Sequence, residues 1–339
     1  MSLTFNYLLQ IPILVSFIIT LLVLPNWIKK SKDIGLVWDD MNKFDKRKVA
    51  GSGGTIVILG FIAGLFTYVA YRTFIVESSD FIIQTLAILV VILILSGVAF
   101  IDDLIGWKKG GLTISGRILL VAFAAVPLVV INAGKSQISL PLIGLVDLGI
   151  IYPLFFIPLG IVGATTTFNM LAGFNGLEAG QGIIILSGLS LVTYLTGNSW
   201  LSIISLCMIS SLLAFLFYNF NPAKVLSGDS MTYAVGGLIA CMAILGNIEK
   251  IAVFFFTPYI LEVFLKSRGG LKKHSFGKPT ENGELNLLYD KIYSLNHLAI
   301  LLMNKLKIKS TEKKAVYLIW MFQLVIILLG LFIFRTSLF

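Results

Sequence analysis

The chain has 339 residues, of which 57% are hydrophobic and only 13% charged, and it carries a formal net charge of +9. A charged share about half the usual ~25% excludes a soluble globular domain and identifies an integral membrane protein whose length measures spans. The positive charge fits topology and attraction to a lipid bilayer with anionic headgroups; nucleic acid is not an expected partner, because no binding motif accompanies it.

Near-continuous apolar runs approach the ~20 residues that a helix needs to cross ~30 Å of hydrocarbon. In chain order ten are present: Leu8 to Leu24, Thr55 to Tyr71, Phe81 to Ile101, Ile114 to Ile131, Leu148 to Thr167, Gly182 to Leu195, Trp200 to Phe217, Met231 to Leu245, Ile251 to Leu265 and Ala315 to Phe334. The predicted fold is therefore all-α, a polytopic membrane protein of about ten transmembrane helices forming a single membrane domain over 1–339. The first run lacks a basic start and a small-residue cleavage site, so it reads as a retained span. Lys and Arg concentrate in alternate loops, and such loops are cytoplasmic. On that side fall Lys29 through Lys48, Lys108, Lys109, Arg117, Lys224 and a long loop at 266–314, leaving Arg72, Lys135, Lys250 and Arg335 opposite. Both termini are then outside or lumenal. Cys207 and Cys241 lie within spans, where packing is their expected role.

The polar stretches follow the same order. The first inner loop ends in KRKVAGSGG; Gly51, Ser52, Gly53 and Gly54 suit either an anion at a helix start or close helix packing. The third run ends in AFIDDLIGWKKGG. Its adjacent carboxylates, Asp102 and Asp103, repel each other, and a divalent cation relieves that repulsion. Mg²⁺ is the natural candidate, with Mn²⁺ in its place as a second, because it keeps waters and leaves room for phosphate oxygens. Arg117 could snorkel to headgroups or clamp a phosphate. The stretch NMLAGFNGLEAGQ, from Asn169 to Gln181, sets polar groups between two apolar runs, where they would be costly unless they line a cavity. It includes Asn169, Gly173, Asn175 and Glu178. Asp229 follows in NPAKVLSGDS, as a helix cap or a cavity carboxylate. Under the derived topology all these acidic and amide groups share the cytoplasmic face, so separate loops are expected to converge on one cytoplasmic active site. In the loop at 266–314, Arg268 and His274 belong either to a basic segment on the membrane surface or to a lid over a substrate.

FIDDLIG, NMLAGFNGLEAGQ and NPAKVLSGDS, in this order, resemble the polyprenyl-phosphate N-acetylhexosamine-1-phosphate transferases, and most closely their dolichyl-phosphate branch. The resemblance covers about Lys48 to Leu265. It implies transfer of an N-acetylhexosamine 1-phosphate from a UDP-N-acetylhexosamine to a polyprenyl or dolichyl phosphate, with release of UMP, in a plasma or ER-type membrane; a homodimer is compatible with it. It also implies roles: Asn169 and Asp229 as Mg²⁺ ligands, Gly173 and Asn175 in the uridine site with Glu178 beside them, Asp102, Asp103 and Arg117 at the reacting centre, and Arg268 and His274 over the sugar. Departures from the family pattern are Ala50 and Gly51 where a Pro-Glu is usual, and an apparent insertion, WKKGGLTIS, that leaves Lys109 or Arg117 as the basic residue after the Asp pair. With only His274 and His297, the chain lacks the His-rich loop of the MurNAc-pentapeptide branch. The alternative class is a transporter or flippase with a cytoplasm-facing polar site.

Overall fold

The computed structural model describes residues 7–109, 111–140 and 144–338. After a 3-10 turn at Tyr7–Leu9 come helix α1 (Gln10–Asp33), a ribbon of β1 (Val37–Asp39) and β2 (Lys48–Ala50), and α2 (Gly54–Phe74). Next are α3 (Ile82–Lys109), α4 (Ile114–Phe123), α5 (Val126–Val130) and the ribbon β3 (Gln137–Leu140) with β4 (Gly144–Asp147). A π-helical turn at Tyr152–Phe156 leads into α6 (Ile157–Met170), followed by α7 (Leu177–Leu195), α8 (Ser199–Asn219) and α9 (Asp229–Gly246). The chain closes with α10 (Glu249–Phe255), α11 (Thr257–Ser267), the short strands β5 (Lys278–Pro279) and β6 (Leu285–Asn286), α12 (Leu295–Lys305), α13 (Glu312–Ile333) and α14 (Arg335–Leu338).

Apolar runs become helices because hydrocarbon offers no partner for backbone polar groups, which must bond within the segment. Among the described residues, eight helical segments are long and apolar enough to cross a membrane. The other two of the ten runs are helical but interrupted. The run from Ile114 breaks between α4 and α5 ahead of Pro127, and the run from Ile251 breaks between α10 and α11 ahead of Pro258. Proline removes a donor and disfavours helical backbone in the residue before it.

Helix α9 is the axis of the bundle, with 89% of its apolar window buried against 22% for the peripheral α1. It packs against α2, α3, α6, α7 and α8. Gly236 lets α6 approach so closely that a Cβ there would stand 2.7 Å from the Ala164 carbonyl oxygen. Gly60 and Gly64 do the same for α1 and α2, against Thr20 and Ser16. Such small-residue contacts are how helices gain packing where no hydrophobic drive separates protein from lipid.

Several helices begin or end away from the apolar boundaries. Helix α3 continues past Ile101 to Lys109, so Asp102 and Asp103 lie within it; α7 starts at Leu177, which puts Glu178 and Gln181 in its first two turns. The loop at 266–314 is partly packed: Asn296, His297, Ala299, Ile300 and Met303 of α12 are buried, and Glu262 of α11 accepts the Leu295 N–H at 2.7 Å.

Candidate active site

Backbone pairing builds the acidic corner. Strand β2 extends into a contact with the 225–228 loop: Leu226 N–H bonds to the Ala50 carbonyl at 2.8 Å, and Gly53 and Gly54 donate to the carbonyls of Leu226 and Ser227 at 2.9 and 2.8 Å. The Gly51 N–H is taken by the Leu36 carbonyl at 3.0 Å. The N–H groups of Gly51, Gly53 and Gly54 are therefore committed to protein, and these glycines serve close packing. A Cβ at Gly53 or Gly54 would come within 2.4 Å of Val225 or 2.5 Å of Met231.

This pairing delivers Gly228 and Asp229 to the side of α3. Gly228 has φ +69°, and a Cβ on it would lie 2.4 Å from Asp103 Oδ2. Asp103 borders the cavity with both oxygens held: Oδ2 accepts the Ser52 hydroxyl at 3.0 Å and Oδ1 accepts the Asp229 N–H at 3.2 Å. It thereby satisfies one of the orphan donors at the start of α9. Asp229 is thus not the cap of its helix but the residue being capped, and its carboxylate lines the cavity. Arg117 links the rest, with Nη2 at 3.0 Å from Asp102 Oδ2 and Nη1 at 3.8 Å from Asp229 Oδ2. Asp102 also accepts the Leu112 N–H through Oδ1. The Lys109 side chain lies outside the described set.

Beside Asp229, Asn169 accepts a hydrogen bond from Thr232 through its Oδ1 at 2.9 Å. The oxygens of Asp229, Asn169 and Thr232 border one cavity of about 580 Å³. Among the described residues no three His, Cys, Asp or Glu side chains form a closed metal cage. A hard cation that keeps water and shares phosphate oxygens fits an open donor set of one carboxylate and one amide oxygen, as Mg²⁺ or Mn²⁺ does.

The turn after α6 forms the next wall. Gly173 and Gly176 adopt φ of +110° and +86°, and a Cβ at Gly176 would press 2.7 Å from the Phe220 ring. Glu178 Oε1 accepts the Gly173 N–H at 3.0 Å. Asn175 donates its N–H to Glu312 at 2.7 Å and its side-chain amide to Asp40 at 2.8 Å. Asn175 and Glu178 line the cavity, yet the polar atoms named here hold the turn in shape. Beneath it, Glu312 also pairs with Lys43 and with Asn221 at 3.0 Å, and Asp40 with Arg47 at 3.6 Å. Asp40, Lys43 and Glu312 were not singled out from sequence. The available signals were a second Asp pair, Asp39–Asp40, in the first inner loop, and a lone Glu opening the last apolar run.

The last loop supplies the remaining wall. His274 lines the cavity and stacks on Phe276, with centroids 5.9 Å apart. Lys273 points away, 4.9 Å over the Tyr289 ring and 5.8 Å over that of Tyr293. Arg268 sits at the C-cap of α11 and is not among the residues that line the cavity.

The family model described as Glycosyl transferase family 4 matches residues 85–247, which carry both the Asp pair and Asp229. A protein of Saccharolobus solfataricus is 33% identical over 96% of this chain and 97% of its own length. The chain belongs to glycosyl transferase family 4. That relative bears the provisional name UDP-N-acetylglucosamine–dolichyl-phosphate N-acetylglucosaminephosphotransferase, as does one from Sulfolobus acidocaldarius, 31% identical over 96% of this chain and 95% of its own. A phospho-N-acetylmuramoyl-pentapeptide-transferase of Streptococcus mutans, 29% identical, shares 74% of this family 4 chain and 76% of its own.

Proposed function

We propose that the chain transfers N-acetylglucosamine 1-phosphate from UDP-N-acetylglucosamine to a polyprenyl or dolichyl phosphate, releasing UMP at a cytoplasmic site. The observation that carries this reading is the convergence of Asp103, Asp229, Asn169 and the Gly173 turn around one cavity, with Arg117 joining Asp229 to Asp102 at its edge. An oxygen of the lipid phosphate attacks the sugar-bearing phosphorus of the donor. The new P–O bond forms as the pyrophosphate P–O bond breaks, and UMP leaves with that electron pair.

Two anionic reactants must be brought into line, so charge compensation is the main demand on the protein. Arg117 meets it, standing between Asp102 and Asp229 where a guanidinium can offer forked donors to a phosphate. Asn169 and Asp229 would hold a divalent cation, which when bound offsets negative charge on the pyrophosphate. Asp102 orients Arg117, while Asp103 fixes the start of α9. His274 and Phe276 face the sugar side.

The acceptor's chain needs an apolar path to this corner. A groove of about 470 Å³, lined by Gly160, Gly163, Ala243, Phe256 and Val263 among others, runs between α6, α9, α10 and α11 and reaches Thr167, near Asn169. The asymmetry of Lys and Arg between alternate loops supports the cytoplasmic placement.

The test is UMP release by the purified chain. It is expected to require a UDP-N-acetylhexosamine, a polyprenyl phosphate and Mg²⁺ or Mn²⁺ together; release without the lipid phosphate, or none with all three, rejects the reading.

A further inference from the structure

Two buried amides join the last loop to the Gly173 turn. Asn42 donates through Nδ2 to the Gly173 carbonyl and accepts the Gly277 N–H at Oδ1, at 3.1 Å. Asn296 donates through Nδ2 to the carbonyls of Ala172 and Ser275, each at 3.1 Å. The Asn42 orientation is dictated by its partners, since a carbonyl only accepts and an N–H only donates. Asn42 and Asn296 are 5% and 0% exposed, and neither lines the cavity.

Apolar side chains could tether two loops here without the desolvation cost of a buried amide. What the amides add is register: residues 275–277 satisfy both Asn42 and Asn296 at one position relative to 172–173. That register reaches the cavity through a short chain of contacts. A Cβ on Gly173 would stand 3.1 Å from the Phe276 ring, and that ring stacks on His274. Gly173, His274 and Phe276 all line the cavity. Of the two reactants, only the nucleotide sugar carries rings to be gripped, a uracil, a ribose and a pyranose; the lipid phosphate carries none.

We infer that Asn42 and Asn296 are positioning residues for donor selection, which set the spacing between the Gly173 turn and the His274–Phe276 wall and so the fit of the sugar. This rests on the donor reading proposed above. It places the selectivity of the site partly in the first loop, more than two hundred residues before the wall it controls.

Asn42→Ala, Asn42→Asp and Asn296→Ala test it in the purified full-length chain. Asn42→Asp keeps the acceptor for Gly277 and the side-chain shape but sets an oxygen against the Gly173 carbonyl, and Tm reports what that burial costs. Equilibrium binding and kcat/KM are measured for UDP-N-acetylglucosamine and UDP-glucose, with KM for polyprenyl phosphate and Tm alongside. The preference for the N-acetylated donor is expected to fall about tenfold in each variant, within the range that a small change of pocket fit produces, with KM for the lipid phosphate unchanged. Equal losses on both donors, as general destabilisation would give, or a preference equal to wild type, overturn the inference. A wild-type chain that binds neither nucleotide sugar rejects the donor reading instead, and the positioning role with it.

Discussion

At the start of α9 two carboxylates border the cavity, Asp229 and its neighbour Asp103 from α3, and they differ in how far the protein already holds them. Asp229 and Asn169 contribute oxygens that ordered protein contacts do not fully use, whereas both oxygens of Asp103 are engaged by Ser52 and the Asp229 N–H. Replacing these residues should therefore have separable consequences. Asp229→Ala and Asn169→Ala are expected to lower kcat by about 10²-fold or more, the usual loss when a group facing developing charge is removed, with Tm close to wild type. Asp103→Ala is expected to lower Tm as well as activity, because losing a helix-terminal acceptor costs about 1 kcal/mol. Near wild-type turnover of both Asp229→Ala and Asn169→Ala at saturating Mg²⁺ would remove the metal assignment. An unchanged Tm for Asp103→Ala would remove the capping role.

At the scale of elements, the length of the apolar runs identified the helices but not their ends. Asp102, Asp103 and Glu178 were expected where apolar runs stop, yet each lies within a helix with a partner outside it: Arg117, Ser52 and the Gly173 N–H in turn. No local pattern reveals that Leu226 will bond to Ala50, or that Glu312 will receive the Asn175 N–H. The motif residues were legible because several polar types recur between apolar runs; the buried support of Asp40, Asn42 and Lys43 was not, since a loop rich in Lys and Asp reads as solvated. The groove beside α6 makes an element-level prediction. Gly163 has no atom within 4 Å of its would-be Cβ, so Gly163→Phe projects a ring into the groove without disturbing the helix. KM for polyprenyl phosphate is expected to rise about tenfold, and affinity for the UDP-sugar to stay unchanged. If a short-chain, water-soluble prenyl phosphate suffers the same loss as the long one, the groove does not carry the chain.

For the whole molecule, the decisive feature is that the polar side chains gather at one end of the bundle. A transport pathway needs polar groups near the bilayer midplane, reachable from both faces in turn, whereas the groups of this cavity come from the ends of α3 and α6 and the starts of α7 and α9. The loops on its side carry most of the Lys and Arg, a bias that marks cytoplasmic loops, and the proposal puts that end in the cytoplasm on this ground. Single cysteines test this directly, because Cys207 and Cys241 are both buried and give little background. Lys46 and Lys305 are exposed on the expected cytoplasmic side, and Ser79 is exposed on the other. In intact cells an impermeant thiol reagent is expected to label Ser79→Cys and to spare Lys46→Cys and Lys305→Cys until the membrane is opened. The reverse pattern would put the cavity outside, away from cytoplasmic nucleotide sugars, and the proposed donor would then be untenable however well the side chains suit it.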